Sequence, residues 1–213
     1  MKKICAFCLS LLLSFSIAGC SESHEKEINS SVTSYFTAIQ SGSYEDALKS
    51  TVGEDKLKDN FGLVDVKNSV EDLKDDSMGE VYNQEAVEFS NYMLSKSISE
   101  YTIGSITEDS SEAIVNISGK CLDFENFDPS VSEEYLDSLF NTYFEEHEDA
   151  IKTLLSEEGE DAANQKIIDD CAPLLFDKMK ATLDSTASRD FKMKMLLEEI
   201  DGQWKISQID EVL

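Results

Sequence analysis

A chain of 213 residues, 41% apolar and 29% charged, is long enough to bury a hydrophobic core and short enough to do so in one domain. Its 44 acidic residues outweigh 18 basic ones, for a net charge of −26, and its single arginine, Arg189, stands among scattered lysines. Binding a phosphate backbone requires clustered Lys and Arg, so the composition argues against nucleic acid as a partner; the charge reads as a solvated surface held off anionic membranes and walls, with cation binding as the alternative.

At the N-terminus, Lys2 and Lys3 precede an apolar stretch from Ile4 to Ala18, the anatomy of an export signal. A helix of that length rises about 22 Å, short of the roughly 30 Å hydrocarbon core. No second apolar run of spanning length follows. The stretch closes on Ile17, Ala18, Gly19 and Cys20, which resembles the lipobox of bacterial lipoproteins: an aliphatic residue, two small residues, then a cysteine. The resemblance implies cleavage after residue 19 and diacylglycerol joined to Cys20 by a thioether. It also implies residence on the extracytoplasmic side of a cell membrane, taken here as that of a Gram-positive bacterium. Each buried methylene contributes about 0.8 kcal/mol, so two or more acyl chains give lasting attachment. Residues 20–25 then form a tether that reaches under about 20 Å when extended, and 26–213 form a single domain close to the membrane. Cleavage removes Cys5 and Cys8 and leaves 16 basic against 44 acidic residues. A disulfide framework is thereby excluded; Cys121 and Cys171 remain, as one bridge or as two buried free thiols.

Along the mature chain, Ile28, Val32, Tyr35, Phe36 and Ile39 recur at helical spacing before Gly42, and Ser43 with Asp46 caps a second short helix carrying Ala47 and Leu48. Between Gly53 and Gly79 a thin apolar pattern (Val66, Val70, Leu73) among charges predicts a short helix on a loop or a flap. Tyr82, Ala86, Phe89 and Met93 restore a helical stripe up to Lys96. The period then changes: Tyr101 and Ile103, and after a polar turn Ala113, Val115 and Ile117, read as two strands, with Cys121 on the Val115 face. From Ser132 a long helix carries Leu136, Leu139, Phe140, Tyr143, Phe144, His147, Ile151, Leu154 and Leu155, with Glu145, Glu146, Glu148 and Asp149 opposite. A turn at Gly159 leads to a second helix with Ile167, Ile168, Cys171, Leu175 and Met179, which Pro173 should kink or break. Phe191, Met193, Met195 and Leu197 alternate with polar residues, and Asp201-Gly202 then predicts a type I′ turn into Trp204 and Ile206.

The aromatic-rich helix with Tyr35, Phe36, Ala38 and Ile39, followed by Gly42, Tyr44, Ala47 and Leu48, and the closing stretch Asp201 to Ile209, are similar to the cystatin-like cone of the nuclear transport factor two superfamily. The expected fold is α+β: N-terminal helices packed on a curved four-stranded antiparallel sheet, with a helical hairpin (131–186) inserted between the second and third strands. The resemblance implies a pocket at the open end of the cone, lined by Tyr35, Phe36, Phe89, Tyr92 and Trp204.

Chemistry is sparse. His147 lies on an apolar stripe without a second histidine at ligand spacing, and is expected to be a partly buried structural residue. Asp123, Glu125, Asn126 and Asp128 form an oxygen-rich loop, but Phe127 and the missing central glycine depart from the calcium-loop pattern. Serine-nucleophile motifs and phosphate-cradling glycine loops are absent. No cofactor, metal or catalytic residue is therefore assigned. The expectation is a lipid-anchored, non-catalytic module that binds a small apolar ligand in the cone or an envelope protein at the hairpin. The alternative is a small lyase or isomerase. Enzymes of the ketosteroid isomerase type set an Asp base and a Tyr donor in such a cone, and a carboxylate facing a pocket within reach of a Tyr would favour that reading.

Overall fold

The computed structural model describes residues 24–63, 66, 68, 73–124, 127 and 131–212. The export signal, Cys20, Val70, Glu125, Asn126 and Asp128 lie outside the described residues. The chain runs α1 (Glu25–Gln40), α2 (Tyr44–Leu48), β1 (Lys58–Asp59), α3 (Gly79–Ser97), β2 (Ile98–Asp109), β3 (Glu112–Leu122), α4 (Glu133–Glu157), α5 (Glu160–Asp184), β4 (Ser188–Ile200) and β5 (Gln203–Glu211). No helix among the described residues is long and apolar enough to cross a membrane.

The expected helical face of α1 is the face that packs: Ile28, Val32, Tyr35, Phe36 and Ile39 are all buried. Gly42 ends this helix at φ +75°, where a side chain would be strained, and a Cβ there would also strike the Asn91 carbonyl oxygen at 2.4 Å. Ser43 caps α2 by accepting the Asp46 N–H at 3.3 Å, a contact worth about 1 kcal/mol.

In β3 and β4 the alternation predicted from sequence holds. Ala113, Val115 and Ile117 and then Phe191, Met193, Met195 and Leu197 point into the core, while the residues between them face outward. Asp201 (φ +51°) and Gly202 (φ +75°) both take the positive φ that a type I′ turn requires. Bulges between Ile103 and Ile106 and between Leu196 and Leu197 bend the sheet.

The sheet has five strands, in the order β1-β5-β4-β3-β2, rather than four. The added strand, β1, is two residues long and pairs parallel to β5 through Lys58–Gln208 and Asp59–Ile209. Two residues are too few to show alternation, so this strand could not be seen in the sequence. With Asn60 donating from its backbone to Ile209 (2.8 Å) and from its side chain to Asp210 (2.7 Å), it covers an edge that would otherwise be open.

The two helices α4 and α5 form a hairpin between β3 and β4 in the chain. Pro173 does not break α5, which is continuous across it. Cys171, Ala172 and Phe176 are buried on either side, and that packing outweighs the one backbone hydrogen bond a proline removes. The hairpin does not pack on the sheet. It builds a second core with α3, in which Ala86, Phe89 and Met93 meet Phe176, Met179 and Leu183 from α5 and Leu122 from the end of β3. Outside this, α4 rests on α5 through a third, small cluster of Tyr143, Ile151 and Cys171.

Phe176→Ala should destabilise the protein by about 3–5 kcal/mol, because a fully buried ring shared by two helices is removed. Phe144→Ala, at a ring that is 43% exposed, should change stability by less than about 0.5 kcal/mol. Equilibrium denaturation of the two variants measures the difference, and equal losses would mean that α4 is packed more deeply than the structure has it.

Candidate functional site

The five residues expected to line one pocket are not brought together. Tyr35, Phe36 and Trp204 fill the main core between α1 and the sheet. Phe89 belongs to the second core, and Tyr92 lies at its margin with its hydroxyl on Asp184 at 2.7 Å. Phe36 stacks on Tyr101 at 4.3 Å, so the helix and the first long strand are in direct aromatic contact.

Tyrosine–carboxylate pairs exist, but on the helices. Tyr143 donates to Asp170 at 2.6 Å, and Lys166 holds the same carboxylate at 2.6 Å. Burial pushes the Tyr143 phenol far up, with the Asp170 bond adding to it, while Lys166 keeps Asp170 below the usual carboxylate range. This arrangement staples α4 to α5. Asp184 is similarly held by Tyr92 and by Lys96 at 3.2 Å. In the main core, burial raises Tyr35 and Tyr44; the charge of Asp59 adds next for Tyr35, and those of Glu54 and then Asp59 for Tyr44. The Asp59 carboxylate accepts the Phe61 and Gly62 N–H groups at 3.0 and 3.1 Å.

Cys121 and Cys171 are both buried free thiols, so the bridge left open by the sequence is not formed. The first sits in the main core and the second between α4 and α5, in clusters that share no residue. Burial pushes both thiols up and suppresses the reactive thiolate. His147 is exposed rather than partly buried, its ring 4.5 Å from that of Tyr143.

Two surface features stand out beside these. At the end of the sheet where β2 begins, an open groove of about 620 Å³ runs over Tyr101, Gly119 and Phe191. Its floor is low because Gly119 has no side chain; a Cβ there would meet the Glu100 carbonyl oxygen at 2.0 Å. The only arginine of the chain stands at its rim, but Arg189 is held bidentately by Glu211, at 2.5 and 3.4 Å. A glycine inside a strand marks such a close approach, and Gly119 is the signal that sequence reasoning passed over.

The second feature is the outer face of α4. Only Tyr143 and Ile151 of its 25 residues are buried. Phe140, Phe144 and Leu155 are 39%, 43% and 45% exposed. At 3.6 residues per turn they fall with Ile151 within an arc of about 60°. Phe144 and Ile151 form the apolar floor of a groove of about 380 Å³ whose walls are Glu145, Glu148 and Lys152, the last two ion-paired.

The position of this face follows from α1. His24, which precedes the helix, donates its backbone N–H to Glu108 at 3.1 Å and sets its ring Nδ1 2.6 Å from the other oxygen of the same carboxylate. That ring lies 5.7 Å from the ring of Trp204. At its other end, Gln40 donates to the Ile98 carbonyl at 3.2 Å. The helix thus spans the length of β2 from its last residues to its first. Cys121 pairs with Ile98, and Leu122 with Ser188, so the α4–α5 hairpin leaves and re-enters the sheet at the end opposite His24.

No family model matches the chain, and no curated protein matches it. Solved structures similar to the chain include two at low identity. An NTF-2 like protein of unknown function from Shewanella oneidensis MR-1 is 10% identical over 88% of this chain and 97% of its own, with a TM-score of 0.42. A protein named a calcium/calmodulin dependent protein kinase II association domain, from Xanthomonas campestris, is 9% identical over 87% of this chain and 84% of its own, with a TM-score of 0.35.

Two expectations follow from the geometry. In the native protein Cys121 and Cys171 should resist a thiol reagent, and both should react on denaturation; prompt labelling of either without denaturant would place it at the surface. The His24–Glu108 contact raises the His24 pKa, chiefly through the hydrogen bond with Glu108, with Glu199 and Glu27 adding their charge, and it lowers that of Glu108. Its contribution is full below the ordinary histidine value of about 6.5 and is lost as pH rises through the raised His24 midpoint. On the acid side it is lost as pH falls through the depressed Glu108 midpoint. In Glu108→Gln the His24 midpoint, followed by NMR, should fall towards the ordinary value, and an unmoved midpoint would mean that the pair is not formed in solution.

Proposed function

We propose that this protein is a lipid-anchored envelope protein that works by binding, and that its α4 face docks a protein partner. We also read the domain as a cone of the nuclear transport factor two type whose helical hairpin is an insertion. The single observation that carries the docking reading is the row Phe140, Phe144 and Leu155, left exposed on a helix that buries only two of its residues. Large apolar side chains grouped on one face of a long helix lose free energy in water that a partner recovers.

The anchor gives that face an orientation. Three residues separate Cys20 from His24, and the four steps of chain span at most about 14 Å, so the His24 end of the sheet sits next to the membrane. The hairpin is attached at the other end, some ten residues along β2 or about 30 Å away, and so is turned towards the exterior. A binding face belongs there. The Tyr–carboxylate pairs that would support catalysis are engaged with lysines on the helices, which weighs against the lyase or isomerase reading.

Two measurements test the proposal. Cys20→Ser should move the protein out of the membrane fraction, and retention there would overturn the anchor. A photoreactive phenylalanine analogue at position 144 should yield a discrete heavier adduct in intact cells, whereas the same analogue at Asn116, on the outer face of the sheet, should not. Absence of any adduct at 144 would overturn the docking reading.

A further inference from the structure

Resting on that reading, we infer that the partner presents a basic amphipathic segment to α4, with apolar side chains one helical turn apart and Lys or Arg beside them. The argument is charge complementarity around an apolar row. Residues 133–157 carry eight carboxylates and one lysine. At helical spacing Glu133, Asp137 and Glu148 fall on the same side as Phe140, Phe144 and Leu155, and Glu145 follows on the outer flank. The other flank is closed by the α5 contact through Tyr143. An occupant therefore meets phenyl rings with carboxylates among and beside them.

The groove shows the same order at close range. Phe144 and Ile151 make its floor, Glu145 and Glu148 its walls, and its single cation, Lys152, is spent on Glu148. An incoming lysine or arginine displaces Lys152 from that carboxylate and finds Glu145 beside it, while its neighbouring Leu or Phe covers the floor. Other occupants meet opposing terms. A second copy would set eight carboxylates against eight, and an anionic bilayer would face the same repulsion. The screened, surface-exposed charges select the partner and speed its approach, whereas the apolar contact holds it.

The buried residues of the three core clusters run from Ile28 to Ile209, so Cys20→Ser in the mature chain touches none of them and should leave the fold in place. The probes are two synthetic helical peptides with Leu at positions i, i+4, i+7 and i+11, one flanked by Lys and the other by Glu at the same positions. By fluorescence anisotropy at low ionic strength, the Lys peptide should bind and the Glu peptide should not. Phe140→Ser with Phe144→Ser should weaken the Lys peptide by about tenfold or more, with an unchanged melting temperature, since both rings are exposed. Asp137→Lys with Glu148→Lys should turn the preference to the Glu peptide.

Lys-peptide binding that survives loss of both rings would be general attraction to a polyanion and would overturn the inference. So would an unchanged preference after charge reversal, or self-association through this face in sedimentation. The two readings fail separately. An adduct at position 144 whose partner contacts it through a neutral or acidic segment removes the basic partner and leaves docking intact, whereas no adduct removes docking itself.

Discussion

The structure depends on one helix being pressed into one face of one sheet. Residues 25–40 contribute Ile28, Val32, Tyr35, Phe36 and Ile39, and strands β3, β4 and β5 return Val115, Met195, Leu197, Ile206 and Ile209, all essentially without solvent contact. Because side chains alternate along a strand, a slip of one residue would send the lysines at 192 and 194 inward and the methionines at 193 and 195 outward, so the register is fixed by the burial it permits. The helix is held at both ends, by His24 on Glu108 and by Gln40 on Ile98, and this makes the length of the sheet the long axis of the domain.

A second constraint follows from the first. The inner face of the sheet is filled by α1, so the inserted hairpin has no sheet surface left to cover. It uses α3 instead. Residues up to Met93 of that helix form a new core with Phe176, Met179 and Leu183, beyond the main core to which Leu94 and Ile98 belong. Only α5 can reach α3, and α4 is left resting on α5 with two buried residues and a tyrosine–aspartate staple. The exposed phenylalanines are thus the geometric result of a two-helix insertion placed on a single helix.

Much of this was legible in the residues. The stripes of α1 and α3, the alternation of β3 and β4, the Asp201-Gly202 turn and the hairpin between the second and third long strands follow from periodicities of 3.6 and 2 that burial then enforces. Three things were not legible, each for a physical reason. Strand β1 is made by two residues, Lys58 and Asp59, whose pairing is a matter of backbone position and leaves no pattern in side chains. Pro173 carries a strong local preference that the packing of Ala172 and Phe176 overrides. Tyr35, Phe89 and Trp204 have the size and aromaticity of a pocket wall, but the same properties fill cores; here Tyr35 and Trp204 fill the main core and Phe89 fills the second. Similarly, the α4 stripe was visible as apolar, yet a stripe does not say how much of its width a neighbour covers. Here Tyr143 and Ile151 are covered, and Phe140, Phe144 and Leu155 are not.

The excess of carboxylates bears on both stability and recognition. Self-repulsion grows as acidic residues are added, yet salt screens it over about 8–10 Å, and at the surface each pair costs little. Lysines soften the excess where helices meet, as at Asp170 and Asp184, so the repulsion is least across the helix contacts. Along α4 the one lysine, Lys152, is spent on Glu148, so carboxylates outnumber cations beside the apolar row. A face of that kind excludes copies of itself and anionic surfaces without any shape requirement. Its apolar row still gives a cationic segment a reason to remain once it arrives, so charge sets which partners approach and burial sets how long they stay.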